Sequence, residues 1–202
     1  MDDPYLLTLH ALTLRQPATA EQINGITGLP AAEIETALDK AVGQKEALAA
    51  RGAYLITPAG RQRLDGAYPV VYAALRADPR ATAAMDRFEA GVNKQVLTLI
   101  TEWQTVEVDG RRMPNDHSDP DYDAAIIDRL GTAHERAADV LAPITAADGV
   151  ADRFIERLGA ALVRAEGGEI EYVSGARVDS FHTVWFQMHE HLLRMFGRER
   201  PE

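Results

Sequence analysis

The chain has 202 residues, no cysteine and a formal net charge of −10. That length allows one large or two small domains with their own cores, while the missing cysteine excludes disulfides, thiol catalysis and cysteine-ligated zinc. No apolar run approaches the roughly 20 residues that span a bilayer, and the acidic Met-Asp-Asp-Pro start lacks the basic-then-apolar order of a signal peptide, so a cytoplasmic protein with no membrane partner is expected. A first helix is predicted from Tyr5 to about Arg15, with Leu6, Leu7, Leu9, Leu12 and Leu14 supplying apolar faces and Pro17 ending it. Thr19 with Gln22 has the form of a capping box and opens a second helix through Ile26. Gly28-Leu29-Pro30 is a turn. A third helix follows from Ala31 to about Gly43, with Ile34, Leu38 and Val42 spaced for burial. Leu48 to Ile56 reads as a hairpin with Arg51-Gly52 at its tip.

A linking helix is expected from Pro58 to about Arg76, interrupted near Pro69 and closed at Asp78-Pro79. A strongly periodic helix spans Ala81 to Gln104, where Met85, Phe88, Val92, Val96, Leu99 and Trp103 recur at steps of three or four. Residues 105 to 118 read as irregular and polar, with a turn at Asp109-Gly110. Further helices are predicted over Pro120–Leu141, Val150–Glu166 and Asp179–Gly197, with a short strand or extended loop at Ile170–Val173. The predicted fold is mainly α with a small β-wing. Residues 1–66 form the first domain, and residues 67–202 a bundle-like helical domain.

The stretch Leu55-Ile56-Thr57-Pro58-Ala59-Gly60-Arg61 carries the strongest signal. A strand ends, threonine caps, and proline takes the first helical position, where its missing N–H costs nothing. Closing a three-helix unit of about sixty residues, this element resembles the winged helix-turn-helix domain of MarR-like and PadR-like transcription regulators. The resemblance implies that the third helix reads the DNA major groove while the wing touches phosphate. Thr36 and Lys40 on that helix, Arg51 at the wing tip and Arg61 at the next helix start are then the DNA-binding residues. It also implies a symmetric homodimer. The helical half resembles no placed family.

Charge pulls the other way. Residues 1–66 hold eight acidic and six basic side chains, so the unit is near neutral, and the outer face of the third helix carries Glu33, Glu35 and Asp39. Phosphate contacts by Lys and Arg supply most non-specific affinity for double-stranded DNA, so Arg51 and Arg61 bear the claim.

Two polar segments stand out in the second half. Asp119, Asp121 and Asp123 alternate like the start of a calcium loop, but Ala124 and Leu130 occupy the positions of the required glycine and glutamate. Those aspartates suit a helix N-terminus, leaving Asn115, Asp116 and His117 unexplained. Around residues 180–191, His182 and His189 are two helical turns apart, about 10.5 Å, so they cannot share a metal unaided. The ligand-binding candidates are Trp103, Asp116, His117, His182, Trp185 and His189. No metal site, cofactor or catalytic residue is assigned. The leading expectation is a one-component regulator that binds operator DNA as a dimer and is modulated by a small molecule. One alternative is a winged-helix protein-interaction module whose helical domain serves a metabolic enzyme. A third is a metal-dependent enzyme built on Asp116, His117, His182 and His189.

Overall fold

The computed structural model describes residues 1–108 and 110–199, without the side chain of Val108. The chain is mainly helical, with two small antiparallel two-stranded sheets. It divides into two compact units. Unit 1 holds residues 1–79, 147–153 and 187–199, and unit 2 holds 80–146 and 154–186. The domain end expected near residue 66 falls inside a helix, and unit 1 also takes in two later segments.

In unit 1, α1 (Pro4–Leu14) starts from an Asp3 cap whose carboxylate accepts from the Tyr5 N–H at 2.9 Å. Its residues Tyr5, Leu7, Thr8, Leu9, His10, Ala11, Leu12 and Leu14 are all buried, so α1 is the central element, wrapped on nearly every face. The capping box at Thr19 and Gln22 is formed and opens α2 (Ala20–Thr27), which Gly28 ends in the left-handed conformation at φ 73°.

α3 (Ala31–Gly43) buries Ile34, Ala37, Leu38 and Ala41. Val42, expected inward, is exposed. At about 100° per residue, position 41 lies about 20° from position 34, whereas position 42 lies about 80° away and leaves the apolar stripe. β1 (Ala47–Ala50) pairs with β2 (Ala53–Ile56) from Ala47↔Ile56 to Ala50↔Ala53. The two-residue turn holds Arg51 at φ 53° and Gly52 at φ 80°, the paired left-handed geometry that matches strand twist. Ala18 exchanges two backbone bonds with Tyr54, at 3.0 and 2.8 Å, and adds a third extended segment beside β2.

Thr57 then caps α4 (Pro58–Val71), accepting from the Gly60 N–H at 3.3 Å while donating to the Lys45 carbonyl at 2.8 Å. A Cβ on Gly60 would lie 2.3 Å from the Glu46 carbonyl oxygen and 2.7 Å from Ile56. The Thr-Pro-Ala-Gly run is therefore dictated at both ends, by a cap and by a close backbone approach. The helix continues through Pro69 to Val71, and α5 (Ala73–Ala77) closes at Asp78.

Unit 2 opens at Arg80, inside α6 (Pro79–Arg87), which continues through a π-helical turn over Phe88–Asn93 into α7 (Lys94–Gln104) in one unbroken run. Met85, Phe88, Val92, Val96, Leu99 and Trp103 are all buried along it, as their spacing predicts. Residues 105–118 are not irregular throughout: β3 (Thr105–Val108) pairs with β4 (Arg111–Pro114). This hairpin is largely exposed: Val106 and Val108 alternate with polar neighbours in β3, but Arg111-Arg112-Met113-Pro114 in β4 carries no such pattern, so the pair reads as a loop. Asp109, half of the expected turn, lies outside the described residues.

α8 (Pro120–Thr145) runs a turn longer than expected, followed by α9 (Gly149–Glu166). The strand or loop expected at Ile170–Val173 is instead a helical turn, α10 (Glu171–Ser174), held by Tyr172 N–H to Glu169 and Val173 N–H to Ile170. α11 (Phe181–Phe196) starts after Ser180, whose hydroxyl accepts from the Thr183 N–H at 3.2 Å.

Candidate nucleic-acid surface and ligand pocket

On α3 of unit 1, Ala31, Ala32, Glu33, Glu35, Thr36, Asp39 and Lys40 are all exposed and form one face. The Thr36 hydroxyl donates to the Ala32 carbonyl at 2.8 Å, the usual back-bond of a helical threonine. The Lys40 ammonium sits 4.1 Å over the Tyr5 ring. Arg51 stands exposed at the hairpin tip, and Arg61 is half-buried in the first turn of α4. Arg63, by contrast, is tied to buried Glu46 at 2.6 Å, and the Tyr5 hydroxyl reaches the same carboxylate at 2.5 Å. Burial first, and the hydrogen bond to Glu46 second, hold the Tyr5 phenol well above its ordinary value. The four DNA-facing candidates thus include two arginines on the hairpin and the helix that follows it. Thr36 and Lys40 share the α3 face with three carboxylates.

In unit 2 the loop between β4 and α8 closes on itself. Asn115 Nδ2 donates to the Trp103 carbonyl and to Asp123 Oδ1, both at 3.0 Å, which uses its two hydrogens. His117 Nδ1, 2.9 Å from Asp123 Oδ2, therefore carries the proton of that contact, and a neutral ring presents Nε2 as an acceptor. The His117 ring lies 4.5 Å from that of Trp103, centre to centre, and its backbone is left-handed at φ 57°. Asp123, assigned from sequence to the helix dipole alone, is buried and orients this histidine.

Beside the pair opens a cavity of about 520 Å³, lined among others by His117, Asp123, Ile127, Asp128, Ala165 and Glu166. That volume lies within the range of small-molecule sites.

The other ligand candidates lie elsewhere. Asp116 borders a separate pocket of about 610 Å³ with Asn115 and Tyr122, and hydrogen bonds from Ser118, the hydroxyl first and the backbone N–H second, hold its carboxylate below the usual value. Trp185 is packed between Phe88 and Phe181, its indole N–H donating to Asn93 at 3.0 Å. His182 is half-buried, and burial lowers its basicity. His189 is buried and belongs to unit 1, the others to unit 2. Among the described residues, no group of three His, Asp or Glu is placed to hold a metal ion.

The sequence reading missed a buried polar chain in unit 1. Tyr68 hydroxyl, His10 and His191 follow one another at 2.8 and 2.7 Å, and His191 Nε2 reaches Asp148 Oδ1 at 3.0 Å. Burial would raise the Asp148 carboxyl, but His191 and the Ala151 N–H outweigh it and hold it far below its ordinary value. Burial first, then the neighbouring His191, drives His10 well below the usual histidine range, and burial pushes Tyr68 up to about 12. The available signal was a histidine among the leucines of the first helix.

No protein-family model matches the chain, and no match was found among curated proteins or solved structures.

Proposed function

We propose that unit 1 is a winged helix-turn-helix module and that the protein is a one-component transcription regulator, binding operator DNA as a homodimer. The observation that carries this reading is the arrangement of α1, α2, α3, hairpin and α4. An extended segment at Ala18 pairs with β2, the outer face of α3 is exposed, and Arg51 stands exposed at the hairpin tip. A helix face of this kind enters the major groove, and a cationic hairpin beside it meets phosphate. Unit 2 supplies the effector site in the cavity beside His117, and ligand there shifts the population of DNA-competent dimers.

An electrophoretic shift with DNA from upstream of the protein's own gene tests the reading. A shift that weakens steeply with salt supports it. No shift at low salt overturns it.

One observation favours a second reading. Glu33, Glu35 and Asp39 dominate the exposed α3 face, and a groove of about 430 Å³ runs beside it, lined by Tyr5, Glu33, Thr36 and Lys40 among others. A protein partner with a basic surface complements that face better than phosphate does.

A further inference from the structure

The cavity in unit 2 has a chemical bias that follows from its lining. Ile127 and Ala165 form a buried apolar floor, and Ile170 adds an exposed apolar edge. Two exposed carboxylates, Asp128 and Glu166, stand on the wall, and among the described residues no lysine or arginine lines it. Arg164, on the same helix as Glu166, is committed to Glu169 through a pair of hydrogen bonds and lies 3.9 Å over the Tyr172 ring. At the cavity wall His117, 27% exposed, has its Nδ1 proton fixed on Asp123, and its Nε2 has no hydrogen-bond partner among the described residues. Nε2 of a neutral His117, an apolar floor and two wall carboxylates together fit one kind of molecule.

We propose that this cavity binds a small organic amine whose ammonium donates to His117 Nε2 and lies near Asp128 and Glu166, with its apolar body on Ile127 and Ala165. The assignment rests on the reading of unit 2 as the sensing half only for its regulatory meaning, since the binding itself needs no DNA. Anions of the same shape meet like charge on the wall and a lone pair on His117. Neutral analogues keep the floor but lose the charge attraction.

Calorimetric titration of the full chain with phenethylamine, phenethyl alcohol and phenylacetate, three ligands of nearly one shape, tests the assignment. Saturable binding is expected for the amine, weaker binding for the alcohol and none for phenylacetate. The D128N/E166Q double variant changes only exposed side chains, and its circular dichroism and melting should match the parent. Its amine affinity should fall at least about tenfold, and the H117A variant should weaken the amine more than the alcohol.

Equal or tighter binding of phenylacetate, an unchanged affinity in the double variant, or no saturable binding of the amine overturns the proposal. These outcomes are separable from the fate of the regulator reading. If DNA shifts but no amine binds, the ligand class is wrong and the regulator stands. If the amine binds but no DNA shifts, the reverse holds.

Discussion

His10 Nε2 lies 2.7 Å from His191 Nδ1, and both imidazoles are fully buried. The direction of the chain through them is set by the charge on His191. As an imidazolium it donates to Asp148 and to His10, and His10 then donates to the Tyr68 oxygen. As a neutral ring it still donates to the ionised Asp148, but it accepts from His10, which accepts from Tyr68. One proton thus reverses two hydrogen bonds without moving a heavy atom.

The same cluster predicts acid sensitivity. His10 has a folded-state basicity below the ordinary value of 6.5, so below about that pH the unfolded chain binds a proton that the native state refuses. Its contribution is therefore full above that value and lost as pH falls. Asp148 is depressed below 3.8, so it adds a second loss at still lower pH. Urea unfolding from pH 7 to pH 5 should show falling stability, with a slope bounded by about 1.4 kcal/mol per pH unit for one proton. The H10Q variant should be less stable at pH 7 and flatter across that range. A parent protein equally stable at both pH values refutes a buried neutral His10.

Gly60 should be intolerant where Gly66 is not. Both lie in α4, but a Cβ at 60 strikes the Glu46 carbonyl and Ile56, whereas at 66 it meets nothing within 4 Å. Overpacking against backbone costs about 1–3 kcal/mol, so G60A should lower the unfolding midpoint of the full chain. G66A should raise the midpoint, with a stability gain of up to about 1 kcal/mol, since alanine loses less freedom in a helix. Equal effects at the two positions contradict the close approach.

Arg51 and Arg61 should govern affinity for DNA rather than choice of sequence. Neither is held by an ion pair among the described residues. On the proposed reading each neutralises phosphate, so R51N and R61Q should each reduce the slope of log affinity against log salt by about one, across all sequences. Asparagine is chosen at 51 because φ is 53° there, a region it tolerates. Substituting Arg63, which is bonded to Glu46, should change stability instead of the salt slope. An unaltered slope in R51N and R61Q removes the hairpin from the interface.

What was legible in the sequence was whatever is written locally. The Thr19–Gln22 box, the Gly28 stop, the Thr57-Pro58 start and the turn at Arg51-Gly52 each involve neighbours within a few residues, and each is found where expected. The His10 chain was invisible because its members are 58, 181 and 43 residues apart along its successive links, so no spacing rule connects them. The Asp123–His117 pair was hidden differently. A carboxylate in the first turn of a helix already has a sufficient local reason to be there, and that reason masked its partner six residues earlier. For Trp185 the sequence leaves a pocket wall and a core position open, because aromatic stripes read alike whether they face a ligand or a core.

For Trp185 that ambiguity is open to a direct measurement in unit 2. Its indole N–H donates to Asn93 Oδ1 while Phe88 and Phe181 pack its faces at ring separations of 5.4 and 5.7 Å. Asn93 is itself buried in the π-helical turn, so N93A leaves the indole N–H without an acceptor in a dry interior, at a cost of about 1–3 kcal/mol. W185F keeps the stacking but removes the donor, leaving the amide oxygen unpaired at a similar cost. Once either partner is gone, removing the second forfeits no further bond. The N93A/W185F double variant should therefore be more stable than the sum of the single losses predicts, by about 1 kcal/mol. Urea unfolding of the four proteins measures this coupling. Additive losses would mean that the bond contributes nothing and that Trp185 is held by its aromatic neighbours alone.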